Sequence, residues 1–459
     1  MESANKTIKK YKMFSSGDKV AVACSGGIDS MCLLHYLFAN KKQFDIEVCA
    51  VNVDHQIREN SAFDSNFVEQ YCKKNGILCY KFSIDVPKFA KEQKQGLEES
   101  ARIARYKIFE TLLEKGIVNK IAIAHHQQDQ VETVLLNIFR GTGLKGASGI
   151  KEVQGGFVRP FLNTPKAEIN VYAKEHGIEF VTDQTNSDDT YSRNFLRLNI
   201  LPELRKHWKN VDANIINFSK ICKQDDEYIL STIDFDDVVV EQSMAKIPQR
   251  YFALPIPVQN RVLKYAFEKL NLTKDVEKRH LDILKSLVKS GENGSKISLP
   301  NGLKANLEYD YLTIYVAKNN SKFEQKDFKI GKTIFEEYAE IKVKKTNKFD
   351  LKQQNLHVID AKKLPKDAKW RKRQNGDLFT KFGSGEKKLK DYLIDKKIPN
   401  RIREHIPVLA SKNEVYCVLG YEISEKVKVD ENTKNVYLIE YKKYQSWRLI
   451  FFYFLLSPT

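Results

Sequence analysis

Ser25-Gly26-Gly27-Ile28-Asp29-Ser30 is the first stretch whose residue types and spacing could do chemistry. It follows the apolar run Val20 to Cys24 and opens a helical pattern from Ser30 to Phe38. Two glycines let backbone N–H groups come close to an anion. Ser25 and Ser30 add hydroxyl donors, and a helix N-terminus adds its positive end. The stretch reads as a phosphate cradle that lacks the lysine of a Walker A loop. Asp29 stands where a carboxylate could hold magnesium against phosphates. A strand-to-helix turn capped by Asp29 and Ser30 would use the same residues more plainly.

A second constellation lies a hundred residues on. His125 and His126 are expected to end the strand Lys120 to His126, with Asp129 and Glu132 at i, i+3 spacing in the helix that follows, Gln130 to Arg140. Acids in a first helical turn are favourable beside the dipole whatever else they do. Two histidines at a strand terminus give them a functional reading as well. In the helix Leu97 to Glu114, Arg102 has Glu98 at i−4, a surface pair of small value. Arg105 has Ala101 at that position, so it is the better candidate for a phosphate. Arg193 and Arg197 lie one turn apart, for substrate binding or for closing the end of the domain. Gly141-Thr142-Gly143-Leu144-Lys145-Gly146 matches G-x-G-x-x-G. It follows a helix rather than a strand, so a dinucleotide site is rejected in favour of a tight loop beside the active site or a backbone phosphate.

These groups need elements to position them. Val20 to Cys24, Val48 to Asp54, Cys79 to Asp85 and Lys120 to His126 read as strands. They alternate with helical patterns, the others being Ala62 to Lys74 and Leu97 to Glu114. Alternation implies an α/β fold with a doubly wound parallel sheet, and ligands beyond the carboxyl ends of its strands. Three domains are expected: residues 1–205 catalytic, 206–332 mainly helical, and 333–459 a small basic α+β domain. Helices are expected over Asn217 to Thr232, Val258 to Leu270 and Asp275 to Ser290, then a hairpin turning at Pro300-Asn301-Gly302. Asn319 to Lys332 reads as a linker.

The chain has 459 residues and a formal charge of +17, from 76 Lys+Arg against 59 Asp+Glu. With 42% hydrophobic residues this is a folded protein facing a polyanion. Ala361 to Asn400 holds thirteen Lys/Arg against five Asp/Glu. Trp370, Phe379, Phe382 and Tyr392 interleave there, a pattern suited to RNA backbone and exposed bases. Seven scattered cysteines without C-x-x-C spacing argue against zinc, redox dithiols and disulfides, and for a reducing cytoplasm. The start of the chain lacks the apolar core of a signal peptide, and the apolar run Leu449 to Leu456 is too short to span a membrane.

SGGIDS, VDHQIRE, GLEESARIARYKIF, AHHQQDQVETVLLNIFRGTGLKGASGI, RPFL and DQTNSDDTYSRNFLR occur in order. Together they resemble the tRNA(Ile)-lysidine synthetase family of the PP-loop superfamily. SLPNGLKANLEYDYLTI resembles the end of that family's middle domain, and WRKRQNGDLFTKFGSGEKKLKDYLIDKKIPNRIREHIPVL its C-terminal domain. The resemblance implies an enzyme using ATP and Mg2+ on the wobble cytidine, C34, of a tRNA(Ile) with a CAU anticodon. Its C2 oxygen attacks the α-phosphate and expels pyrophosphate; free lysine then displaces AMP, and reading shifts from AUG to AUA. It implies ATP binding by Ser25, Gly26, Gly27, Ile28, Asp29, Ser30, Arg105 and His125, with Asp29 as metal ligand. Asp129, Glu132 and Arg197 would bind lysine, one carboxylate taking the ε-amine proton. Arg193, Lys145, Arg371, Arg373, Lys387 and Lys388 would contact tRNA. A homodimer is possible. The alternatives are a PP-loop tRNA thiolase, an amidotransferase-type ligase, and an RNA-binding protein with a vestigial loop.

Overall fold

A computed structural model describes residues 1–56, 61–181, 192–241, 243–272, 276–316, 324–335, 339–347 and 356–443. The apolar run Leu449 to Leu456 and the whole of DQTNSDDTY lie outside these. The chain divides into two compact units, 1–228 and 229–459.

The first unit begins with α1 (Glu2–Lys10) and β1 (Asp18–Ala23). Next come α2 (Ile28–Ala39), α3 (Lys41–Phe44), β2 (Ile46–Asp54), α4 (Ser61–Lys74) and β3 (Leu78–Ser83). α5 (Val86–Gln93), α6 (Leu97–Glu114), β4 (Lys120–Ala122), α7 (Gln127–Phe139) and α8 (Leu144–Ala147) follow. β5 (Val153–Gln154), β6 (Phe157–Val158), α9 (Lys166–Glu175), α10 (Ser192–Phe195), a π-helical turn (Leu196–Ile200), α11 (Leu201–His207) and α12 (Val211–Ser231) complete it, α12 running past the boundary.

The sheet order is β3-β2-β1-β4-β6-β5, parallel except for β5. β1 is central because it can be buried on both faces. Val20 and Val22 pack in the core shared with α2, α4 and α9, while Ala21 packs in the core shared with α6. The strand order reverses direction between β1 and β4, which opens a crevice at their carboxyl ends.

β4 is shorter than expected. β6 offers partners only for Ile121 and Ala122, plus one bond from Ile123 N to Val158 O of 2.9 Å. The two histidines therefore stand beyond the strand, and His126 becomes the N-cap of α7, which starts three residues earlier than its apolar pattern suggests.

In the second unit β7 (Val239–Glu241) and β8 (Met244–Pro248) precede α13 (Ile256–Lys269) and α14 (Lys278–Ser290). β9 (Lys296–Ser298), β10 (Leu303–Glu308) and β11 (Tyr311–Val316) then complete a five-stranded sheet. The helices expected here form and still exceed the strands in length. Asn301 adopts φ +59 and Gly302 φ +72 beside the start of β10, while the β10–β11 turn falls at Tyr309, φ +50. Pro300-Asn301-Gly302 thus turns the chain from β9 into β10 as expected, and a second hairpin turn at Tyr309 joins β10 to β11.

β12 (Lys326–Asp327), β13 (Gly331–Phe335), β14 (Ala339–Thr346), β15 (Leu356–Asp360), β16 (Lys369–Arg371), β17 (Leu378–Lys381) and β18 (Gly385–Lys388) follow. The last elements are α15 (Leu389–Asp395), α16 (Asn400–Arg403), β19 (Val408–Ser411), β20 (Glu414–Val418), β21 (Glu422–Ile423) and β22 (Val436–Lys443). They make a seven-stranded and a four-stranded sheet. Residue 205 lies within α11 and residue 332 within β13, and part of the stretch Asn319 to Lys332, expected as a linker, lies outside the described residues. No described helix is long and apolar enough to cross a membrane.

Candidate active site

β1 delivers the chain directly into the glycine loop. Gly26 adopts φ +89, a region that favours glycine, and Gly27 caps α2 in extended conformation. The Ser30 hydroxyl donates to Gly27 O at 2.9 Å and accepts from Ser25 N at 3.2 Å. Asn52 ties the loop to β2, its Nδ2 donating to Cys24 O at 2.9 Å, and Ser65 Oγ of α4 donates in turn to Asn52 Oδ1 at 2.5 Å. The cradle is thus held before any anion arrives. Ile28 is the first residue of α2 and packs against the core behind the loop.

A cavity of about 450 Å3 opens from this loop, lined among others by Ser25, Asp29, Asn52, His55, Arg105 and His125. Arg105 has no carboxylate partner among the described residues. Burial lowers its pKa, so an anion brought into the cavity would relieve its isolation. Arg102 instead lies over the Tyr106 ring, 5.5 Å from the centroid. His125 accepts from Arg159 Nε at 3.3 Å. Burial depresses its pKa to about 3, with Arg159, Arg193 and Arg105 adding to the effect against Asp129. Burial depresses His55 to about 4, with Arg105 adding to it. Both rings are neutral hydrogen-bonding groups at neutral pH.

This has a consequence for stability. A histidine with an ordinary pKa when unfolded and a depressed one when folded is stabilising above pH 6.5, and that contribution is lost as pH falls toward the folded value. Acidification from pH 7 to 5 is expected to cost about 2 kcal/mol per histidine. Urea midpoints measured across that window check it, and His125→Asn should flatten the dependence by about half.

His126, buried at the head of α7, links the loop to the second constellation. Its Nε2 is 3.7 Å from Asp29 Oδ2. Its backbone N–H donates to Asp129 Oδ2 at 2.8 Å, and its Nδ1 accepts from Gln128 N at 3.2 Å. Asp129 Oδ1 accepts from Arg193 Nη2 at 2.9 Å. Glu132, 1% exposed, accepts from Arg193 Nε at 2.7 Å and from Arg197 Nε at 2.6 Å and Nη2 at 2.9 Å. Burial pushes the Asp129 carboxyl up, but His126, Arg193 and His125 outweigh it and hold the group below its usual value. The two acids and two arginines form one neutral quartet. Arg193, expected on RNA, here serves the acids.

Beyond α7 the loop is clamped. Gln130, 9% exposed, donates from Nε2 to Ser148 O at 3.0 Å and accepts at Oε1 from Ile150 N at 2.7 Å. Gly149 sits at φ +70, where an added Cβ would stand 2.6 Å from Gln130 Nε2. Asn137 Nδ2 donates to Gly146 O at 2.8 Å. Lys145 is exposed on α8 within this loop.

A PP-loop domain family model matches residues 1–204 and a TilS substrate C-terminal domain model matches 368–440. Among curated proteins, the chain is 34% identical to the tRNA(Ile)-lysidine synthase of Caldanaerobacter subterraneus, covering 96% of this chain and 98% of that one. It is 33% identical to the enzyme of the same name from Clostridium tetani, over 95% and 96% of the two chains.

The chain belongs to the tRNA(Ile)-lysidine synthase family.

A third relative, the bifunctional protein TilS/HprT of Listeria monocytogenes, is 32% identical over 96% of this chain and 70% of its own. The lysidine synthase C-terminal domain bears on the residues expected to meet RNA. Arg371, 6% exposed, grips Asp377 bidentately at 2.9 and 2.7 Å and donates to Lys412 O at 2.7 Å. Expected to contact tRNA, Arg371 is here an internal clasp. Arg373 pairs with Glu404 and is mostly covered. Lys387 pairs with Asp395 at 2.5 Å, and Lys388 is exposed. Trp370, Phe379 and Tyr392 are core residues at 0–1% exposure, so they offer no face to a base. Phe382 is half-buried, with Lys428 Nζ 5.2 Å from its ring centroid.

Removing Arg371 leaves Asp377 buried without its counter-ion. Arg371→Ala is expected to lower the stability of the C-terminal region by about 3–5 kcal/mol. Urea denaturation followed by tryptophan fluorescence, with Trp370 as reporter, checks it.

Several further residues, absent from the expectations above, are brought to the site by the fold. Lys166 is bonded to Asp29. Arg159, 4% exposed, orients His125 while donating to Lys151 O at 2.7 Å. His55 faces the cavity with a buried Nδ1 that has no hydrogen-bond partner among the described residues. Arg159 and His55 lie inside the runs RPFL and VDHQIRE, so a signal was present. Lys166 carried none.

Proposed function

We propose that the protein joins free lysine to C2 of cytidine 34 in a tRNA(Ile) with a CAU anticodon, through an ATP-derived adenylate. The observation that carries this reading is the adjacency, through His126, of an anion cradle and a neutral quartet of two acids and two arginines. The cradle suits a triphosphate. The quartet suits a zwitterion, because an amino acid presents an ammonium for Asp129 and Glu132 and a carboxylate for Arg193 or Arg197. Binding lysine would exchange internal ion pairs for substrate pairs.

In this reading Ser25, the backbone of Gly26 and Gly27, and Ser30 hold the departing pyrophosphate, a mainly electrostatic form of catalysis. Arg105 neutralises phosphate charge inside the cavity, and neutral His125, fixed by Arg159, contacts the nucleotide. The described residues include no cluster of three metal-ligating side chains. One carboxylate beside a phosphate cradle nevertheless fits Mg2+, which takes most of its ligands from phosphates and water. Asp29 would hold it, and the ion would supply charge neutralisation on the phosphates. The ε-amine must lose a proton before it attacks, and in this reading Asp129 or Glu132 accepts it.

A thiolase reading finds less support. Cys24 lines the cavity, but burial pushes its thiol up to about 11, so it is not a thiolate at neutral pH. Seven free cysteines fit a reducing cytoplasm. Incubation with ATP, magnesium, labelled lysine and CAU tRNA tests the proposal. Lysine should enter the tRNA; tRNA that binds without gaining lysine would sink the reading.

A further inference from the structure

The phosphate loop lacks a lysine of its own, and the fold supplies one from elsewhere. Lys166 is the first residue of α9, set by Pro165 in extended conformation. Its Nζ sits on Asp29 Oδ1 with a side chain 25% exposed. The segment before it is anchored, since Gln127 N of α7 donates to Thr164 O at 3.1 Å and Thr164 is fully buried. α9 itself packs on α2, the helix that opens from the loop: Ile169 and Tyr172 share a core with Cys32 and Tyr36, and Cys32 Sγ approaches Ile169 O at 3.9 Å. Lys166 is therefore held against the phosphate cradle by rigid elements on both sides, while its own tip stays partly open.

We infer that Lys166 is a pyrophosphate-binding residue that waits on Asp29 and turns to the phosphates when nucleotide enters. The inference rests on the ATP-binding reading of the loop. Paired with Asp29, the cation keeps that carboxylate from repelling an incoming polyanion. A flexible four-carbon stem lets the ammonium reach a phosphate oxygen while its backbone stays fixed. The arrangement gives a loop without its own lysine the same point charge that other phosphate loops carry in sequence.

The test is binding of inorganic pyrophosphate and of AMP, each by calorimetry, in EDTA so that no metal intervenes. Lys166→Met should weaken pyrophosphate about ten- to a hundredfold, the worth of one charge-assisted hydrogen bond, with AMP binding unchanged. Lys166→Arg should recover part of the loss. Repeating Lys166→Met on an Asp29→Asn background separates direct contact from neutralisation of Asp29. A persisting loss supports contact, and a vanishing one overturns it. Unchanged pyrophosphate affinity in Lys166→Met also overturns it, as does equal loss of pyrophosphate and AMP. Wild-type protein that binds neither ligand would instead overturn the nucleotide reading and this inference with it.

Discussion

Asp29→Ala is expected to reduce pyrophosphate release by about two to three orders of magnitude, the scale seen when one preorganised electrostatic group is removed from a reacting centre. Asp29 stands in the first turn of α2, bonded to Lys166 and within 3.7 Å of His126. Truncation would remove the proposed metal ligand and release a lysine that has no other partner among the described residues. Asp29→Asn keeps the volume and removes only the charge, so it should lie close to Ala if the charge matters. A pyrophosphate assay with ATP, magnesium and CAU tRNA reads both variants. Release at the wild-type rate in either would show that the loop is an ordinary turn.

Glu132→Ala is expected to be the most destabilising single change at the site, at about 3–5 kcal/mol. Its carboxylate is 1% exposed and accepts three bonds from two guanidinium groups. Removing it leaves Arg193 and Arg197 sharing Asp129 as their one carboxylate among the described residues. Glu132→Gln keeps the shape and one acceptor, and should fold with about half the loss. In that folded variant lysine use should fall well below ATP use, because the phosphate cradle is untouched. Measurement of the two apparent affinities decides the matter: an equal fall in both would make Glu132 a scaffold residue rather than a lysine contact.

What was legible in the sequence was what is local. Ser25 to Ser30 is contiguous, follows a strand buried on both faces, and needs no distant information to be read as a cradle. Asp129 and Glu132 could be placed on one helix face, and Arg193 with Arg197 on another. That the pairs meet could not be read, since 61 to 65 residues separate Glu132 from its arginines. Lys166 lies 137 residues from Asp29 and was invisible for the same reason. In the C-terminal region, composition counted the basic and aromatic residues correctly but could not tell which face each took. Trp370 lies on β16 between neighbours on both sides, and it went into the core with Phe379 and Tyr392. β7 and β8 were missed because strands of three and five residues show little periodicity.

The Gln130 clamp sets a mechanical condition on the site. A buried amide joined to Ser148 and Ile150, with no room for even a methyl group at Gly149, makes α7 and the loop after it a single stiff body. Such a loop cannot swing as a lid while its helix stays still. A macromolecule that grasped Lys145 would be indexed directly to His126, Asp129 and Glu132, in the way a jig fixes a workpiece to a tool. Tolerance at the reacting centre would then be set by how well that macromolecule seats on the loop, and not by any closing motion of the loop.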